Sequence, residues 1–126
     1  MTTEARPVLQ PGPDHPITVT PAEQHVVVRV AGRTVADSHN ALALREASYP
    51  VVHYVPLADV DQTLLQPTEH TTYCPYKGDA SYYSIPAGGD RSANAIWTYR
   101  EPYPAVVEIA GHVAFYPDRV DELIIE

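Results

Sequence analysis

Short apolar runs separated by turn residues recur along most of this chain. The densest run, residues 25–30, is followed by Ala31-Gly32-Arg33 and a second run at 34–38, which together predict a β-hairpin. Further strands are predicted at 50–55, 62–65, 81–85 and 93–99, and a last hairpin at 112–116 and 120–125. About eight short strands with regular turn signals indicate an all-β domain of two antiparallel sheets.

Helical signals are few and short. A segment of about two turns is predicted at 40–46, where Asp37 or Ser38 would cap it. Residues 57–61 are predicted as a helical turn or loop, and 106–111 as a helical turn closed by Gly111. The fold class is therefore mainly β with one or two short helices.

Proline usage divides the chain in two. Five of the thirteen prolines stand at positions 7, 11, 13, 16 and 21, where apolar residues are scarce. Residues 1–21 are therefore predicted to form an extended or disordered N-terminal arm, and residues 22–126 a single domain. Outside the arm, the preference for Val, Ile and Tyr again favours strands over helices.

The charge balance and the cysteine count exclude several classes of partner and cofactor. The net charge is −8 and the seven arginines are scattered singly, so neither nucleic acid nor an anionic membrane is expected as a partner. No apolar run approaches the roughly 20 residues of a membrane span, and no charged and apolar leader opens the chain, which predicts a cytoplasmic protein. One cysteine allows neither an internal disulfide nor a multi-cysteine zinc site, and no cofactor is predicted.

Chemistry-bearing residues concentrate in the stretch 70–84. It contains the only cysteine, Cys74, and the only lysine, Lys77, with four of the nine tyrosines. Pro75 and Gly78 bracket Tyr76 and Lys77, which predicts a turn between two strands. Because unique polar residues and aromatic residues meet in one segment, this corner is the best candidate for a site.

Each candidate residue allows a structural and a functional interpretation. Cys74 is either a small buried hydrophobe, the favoured interpretation, or a thiolate nucleophile activated by His70, His112 or Lys77. Lys77 is either solvated in its turn, or binds an anionic group, or acts as an amine.

The aromatic residues are equally open to two interpretations. Trp97 could line a pocket with tyrosines, or all of them could fill the core. The tyrosines concerned are Tyr54, Tyr82, Tyr83 and Tyr99. Strand alternation separates Tyr82 from Tyr83, so only one of the two can face a given pocket.

The histidines do not predict a metal site. His53, His70 and His112 could in principle join Asp59 or Asp61 around an ion. Their irregular spacing matches no ligand motif, and no metal is predicted.

Several segments together resemble a known family. They are Val35-Ala36-Asp37-Ser38, the stretch 72–82 with Cys-Pro-Tyr-Lys-Gly, Ala95-Ile96-Trp97-Thr98-Tyr99, and 109–116. They are similar to domain of unknown function 427, found in small, mostly bacterial proteins, over about residues 26–126. The resemblance implies a β-tent-like fold, in which two antiparallel sheets meet at a steep angle and join along one edge.

Some features of β-tent proteins and of this family do not carry over to this chain. Other β-tent proteins often carry a four-cysteine zinc clasp, which one cysteine cannot form, and some use an aromatic cage as a ligand pocket. The label nucleotidyltransferase sometimes given to the family has no support in the sequence, which lacks a Gly-Ser turn followed by paired aspartates for two magnesium ions.

The leading functional hypothesis is a binding module for a small polar or anionic molecule. The expected ligand-binding residues lie at the corner and among the aromatics: Lys77, Tyr54, Tyr76, Tyr82, Trp97 and Tyr99. The alternative is a small enzyme that uses Cys74 or Lys77 with His70 or His112. An interaction module that only displays a sheet edge has no positive signal, although an unpaired edge could pair across a two-fold axis in a homodimer.

Overall fold

The computed structural model describes residues 6–126, which form ten strands and five short 3₁₀ helices. The strands are β1 (Ile17–Pro21), β2 (Val26–Val30), β3 (Arg33–Ser38), β4 (Leu42–Glu46), β5 (Val52–Pro56), β6 (Gln66–Cys74), β7 (Gly78–Ser84), β8 (Ile96–Thr98), β9 (His112–Phe115) and β10 (Glu122–Ile125). The 3₁₀ helices are Leu57–Asp59, Gln62–Leu64, Pro86–Ser92, Pro104–Ile109 and Pro117–Arg119. No helix among the described residues is long and apolar enough to cross a membrane.

The strands form two antiparallel sheets. The larger sheet has seven strands in the order β1-β4-β5-β9-β8-β7-β6, and the smaller has three in the order β10-β2-β3. The predicted all-β class with short helices is therefore confirmed. The predicted hairpin of β2 and β3 is also present, and its turn residues Ala31 and Gly32 both have positive φ, as a two-residue hairpin turn requires.

Alternation along the strands of the larger sheet divides the core into two clusters. Val55, Ile96 and Val113 point to one face and pack with Val26, Val28 and Val30 of the smaller sheet. Their neighbours Tyr54, Trp97 and Ala114 point to the opposite face, which also receives Val106 and Ile109 from the helical turn 104–109. Both faces of the larger sheet thus carry buried side chains, and most of the aromatic residues of the candidate site described below lie on the second face.

The segment predicted as a helix at 40–46 is strand β4, so that prediction was wrong. Two turns of helix would be marginal, whereas β4 pairs with β1 on one side and β5 on the other. The ladder hydrogen bonds to two neighbours outweigh a weak helical propensity. Residues 62–65, predicted as a strand, instead contain a 3₁₀ helix at 62–64, and Asp61 accepts a hydrogen bond from Thr63 N at its start.

The predicted last hairpin also does not form. β9 lies in the larger sheet between β5 and β8, whereas β10 pairs with β2 in the smaller sheet. The helical turn 117–119 separates the two strands, which join different sheets. The helical turns predicted within 57–61 and 106–111 are present.

The N-terminal arm contributes an edge strand. Residues 17–21 are β1, which pairs along its whole length with β4 from Ile17↔Glu46 to Pro21↔Leu42. This part of the chain is thus extended and belongs to the larger sheet, so the sheet begins before the predicted domain boundary at residue 22. The part of the predicted arm at 1–5 lies outside the described residues.

Candidate functional site

The Cys-Pro-Tyr-Lys-Gly corner is the turn between β6 and β7. Cys74 at the end of β6 pairs with Gly78 at the start of β7, and Lys77 N donates a hydrogen bond to Cys74 O at 3.2 Å. Gly78 has φ of 108°, a conformation that residues with a Cβ rarely adopt. The turn directs the Lys77 side chain inward, so that this lysine is only 7 % exposed.

Lys77 forms a buried ion pair with Glu46 on β4. Its Nζ contacts Glu46 Oε1, while Glu46 Oε2 lies 2.7 Å from Nε2 of His15. The interpretation of Lys77 as a solvated turn residue is therefore wrong. Burial raises the pKa of Glu46, but the hydrogen bonds with Lys77 and His15 together lower it by more than burial raises it. The pKa of Glu46 is therefore below its ordinary value.

The Lys77–Glu46 pair forms part of the wall of a cavity of about 610 Å³. Most of the wall is apolar or aromatic, and it draws on both sheets, with Val26, Leu123 and Ile125 from the smaller one. The aromatic side chains of the wall are Tyr49, Tyr54, Tyr82, Trp97, Tyr99, Phe115 and Tyr116.

A row of cross-strand neighbours builds the aromatic part of this wall. Trp97 on β8 pairs with Tyr82 on β7 and with Ala114 on β9, and Tyr54 on β5 follows next in the row. Because Ala114 is small, the side chains on either side of it meet above it, and Trp97 Nε1 donates to the Tyr54 hydroxyl at 3.2 Å. The ring of Tyr116 lies 4.5 Å from that of Trp97.

The phenols of Tyr54, Tyr99 and Tyr116 are neutral hydrogen-bonding groups at ordinary pH. Burial raises the pKa of Tyr54 and of Tyr99, and it raises the pKa of Tyr116 to about 12. The hydroxyl of Tyr99 has no hydrogen-bond partner among residues 6–126. Since no fully buried side-chain polar atom in that range lacks a partner, this hydroxyl is not fully buried, and Tyr99 is one of the residues that line the cavity.

Five of the six predicted ligand-binding residues line this one cavity: Lys77, Tyr54, Tyr82, Trp97 and Tyr99. The sixth, Tyr76, does not line it. Its ring stacks on His15 at 4.1 Å between centroids, on the far side of Glu46. As alternation predicted, Tyr82 and Tyr83 point to opposite faces, and Tyr83 packs against the other core cluster.

The predicted catalytic candidates are not brought together. Cys74 is half-buried against the second core cluster, and its Sγ lies 3.8 Å from Lys77 Nζ. The ring of His70 lies 4.5 Å from that of Tyr82, and Nδ1 of His112 bonds to the carbonyl of Ala110. Among the described residues no histidine forms a hydrogen bond with Cys74, so the nucleophile and base of the enzyme hypothesis are not joined in the structure.

The most important residue that sequence reasoning missed is Glu46. Because segment 40–46 was predicted as a helix, the sequence offered no reason to place Glu46 in a site. Interpreted as a strand, period-two alternation sets Leu42, Leu44 and Glu46 on one face, which is an acid at the end of an apolar row. Tyr116 was missed as well, although alternation along the predicted strand 112–116 sets it on the same face as Ala114.

His53 also lines the cavity, where Nε2 faces Gln24 Oε1 at 3.1 Å. Burial lowers the pKa of His53, and the positive charge of Arg45 lowers it further. The ring is therefore neutral near pH 7 and adds no charge to the cavity. The three histidines considered as metal ligands do not contact one another through these interactions. His53 contacts Gln24, His70 contacts Tyr82, and His112 contacts Ala110.

Comparison with known proteins gives a family and no function. No curated protein matches the chain. The family model described as "Domain of unknown function (DUF427)" matches residues 18–126, which include every residue of the cavity wall and both sheets except Ile17, the first residue of β1. The match confirms the resemblance drawn from the sequence segments, and the chain belongs to the DUF427 family.

Proposed function

We propose that this domain is a binding module that holds one small molecule with a flat apolar body and a polar end that accepts hydrogen bonds. The observation that carries the proposal is the joint position of Lys77, Tyr99 and Trp97 on one cavity wall. A volume of about 610 Å³ falls in the range of roughly 300–1,000 Å³ typical of small-molecule sites.

The apolar body of the ligand would lie against the aromatic row. Tyr54 and Trp97 hold each other through their hydrogen bond, so their rings are oriented before a ligand arrives. Rings fixed in this way stack on a flat molecule with little further loss of side-chain freedom. Leu44 and Val52 add aliphatic surface to the same wall.

The polar end would meet hydrogen-bond donors. An ammonium has three donors, and in Lys77 one is directed to Glu46 Oε1 and one to Cys74 Sγ, which leaves one donor for a ligand. The hydroxyl of Tyr99 is unpaired among residues 6–126 and lies on a residue of the same wall. Because Glu46 offsets the charge of Lys77 and the protein carries a net charge of −8, a multiply charged anion is disfavoured. A carbonyl, an amide or a single carboxylate fits these donors best.

The experiment is a screen of paired small aromatic compounds that differ only in the polar group and do not fluoresce as tryptophan does, for example phenylacetate, its amide and phenethylamine. Binding is followed through the fluorescence of Trp97, the only tryptophan, and through thermal shift. We expect the carboxylate or the amide to bind and the amine to bind more weakly. Lys77→Met should abolish binding and Tyr99→Phe should weaken it several-fold.

Tyr83→Phe is the matched control, because it also removes one phenol hydroxyl, but from a side chain that points to the opposite face of the larger sheet from Tyr99. Binding in this variant should equal that of the unmodified protein. The proposal is refuted if no compound of the set saturates the protein, or if saturable binding persists unchanged in both Lys77→Met and Tyr99→Phe.

A further inference from the structure

The outward face of the three-stranded sheet carries two histidines and an aspartate side by side. Val26 and Val28 of β2 are fully buried toward the core, so His25 before them points outward. The register Val26↔Ser38 and Val27↔Asp37 continues to His25 opposite His39. Asp37 and His39, two residues apart, therefore share the outward face with His25, away from the cavity.

The donor atoms of these three side chains are already close. One donor atom from each of His25, Asp37 and His39 lies within 4.8 Å of the other two. Nε2 of His25 is 2.5 Å from Oδ1 of Asp37. The two imidazole rings lie parallel, with centroids 4.1 Å apart and planes 10° from each other.

Metal binding would require the two imidazole rings to rotate out of their parallel stacking. Two nitrogens on one tetrahedral ion, each about 2.0–2.1 Å from it, lie about 3.3 Å apart. The donor atoms start within 4.8 Å of one another, and the imidazoles would approach the shorter distance by turning about their Cβ–Cγ bonds, a torsion with broad minima. His39 and Asp37 are exposed, and His25 is partly so, hence the rotation displaces no core side chain.

The surroundings favour a cation. Within residues 6–126, the only ion-pair partner of Asp37 is His25, so neither Lys nor Arg competes for the carboxylate. Glu126 flanks His25 on the other side, where the two residues exchange backbone hydrogen bonds of 2.7 and 3.0 Å. The side chains of two directly paired strand residues project from the same face of the sheet, so the carboxylate of Glu126 is beside the cluster.

We propose that His25, Asp37 and His39 form a binding site for a divalent transition-metal ion, with water in the remaining positions. Two imidazoles and one carboxylate suit Zn²⁺, Ni²⁺ or Cu²⁺ and do not suit Mg²⁺ or Ca²⁺, which take oxygen ligands. The ion would join the entry of β2 to the exit of β3. The site lies on the opposite face of the sheet from the cavity and does not depend on the function proposed there.

The test is a calorimetric titration of the untagged protein with Zn²⁺, and separately with Mg²⁺, in a buffer that does not bind metals. We expect one Zn²⁺ per chain and no heat of binding with Mg²⁺. His39→Ala should lower the affinity at least about 100-fold, since loss of a mere outer-shell partner costs 10–100-fold. Asp37→Asn should lower it as well, whereas His70→Ala, the control at an exposed histidine of the larger sheet, should not.

A second measurement locates the ion. Substoichiometric Cu²⁺ should broaden the amide resonances of His25, Asp37 and His39 before any others. Unfolding midpoints without metal show that the variants are folded. The proposal is overturned if Zn²⁺ shows no saturable 1:1 binding, if His39→Ala binds as tightly as the unmodified protein, or if binding is lost in Cys74→Ser instead.

Discussion

Replacing Glu46 by Gln tests the buried ion pair on which the candidate site depends. The amide keeps the size and shape of the carboxyl group but leaves the ammonium of Lys77 without a counter-charge. The two side chains are only 15 % and 9 % exposed, so the loss is that of a buried pair. Breaking such a pair costs about 3–5 kcal/mol, and we expect about 3 kcal/mol because the pair borders an open cavity.

The double variant separates the ion pair from other effects of each substitution. Lys77→Met leaves Glu46 with His15 alone, and Glu46→Gln with Lys77→Met leaves no unpaired charge. The double variant should therefore be more stable than the sum of the single losses predicts, by a coupling free energy of about 2 kcal/mol.

The assay is urea unfolding at pH 7, followed by circular dichroism, for the four proteins of this cycle. Asp79→Asn is the control, because Asp79 pairs with Arg6 on the open surface, and its unfolding midpoint should not change. If the loss of unfolding free energy in the double variant equals the sum of the two single losses to within about 0.5 kcal/mol, a direct interaction between Glu46 and Lys77 is refuted.

Two further predictions follow from the same structure. The pKa of Glu46 is lower in the folded protein than its ordinary value of 4.5, so below pH 4.5 the folded state binds fewer protons than the unfolded state and loses stability as the pH falls. The difference in the free energy of unfolding between the unmodified protein and Glu46→Gln should therefore shrink as the pH is lowered from 7 to 3, as measured by urea unfolding. A difference that stays constant over this range would contradict this explanation. Gly88→Ala should destabilise the folded protein by about 2–3 kcal/mol, because the new Cβ would lie 2.1 Å from Oγ of Ser92 and 2.8 Å from Cγ1 of Val30, both of which are buried residues. Gly12→Ala is the control in the same unfolding assay: its Cβ would meet nothing within 4 Å, and its stability should not change.

The sequence by itself determined the fold class and pointed to five residues of the cavity wall. Period-two alternation and turn residues are local signals, so the hairpin of β2 and β3, the corner at 74–78 and the separation of Tyr82 from Tyr83 could all be predicted. The concentration of unique residues at that corner also pointed to Lys77, which the structure places in the cavity wall.

Only the tertiary structure decided which strands are neighbours, and this determined the partners of each side chain. Segment 40–46 became a strand because β1 and β5 offered two sets of ladder hydrogen bonds, which local propensity does not encode. That pairing brought Glu46 to Lys77, 31 residues away along the chain. Tyr54 likewise meets Trp97 only because β9 inserts the small residue Ala114 between their strands, a consequence of strand order that no local pattern carries.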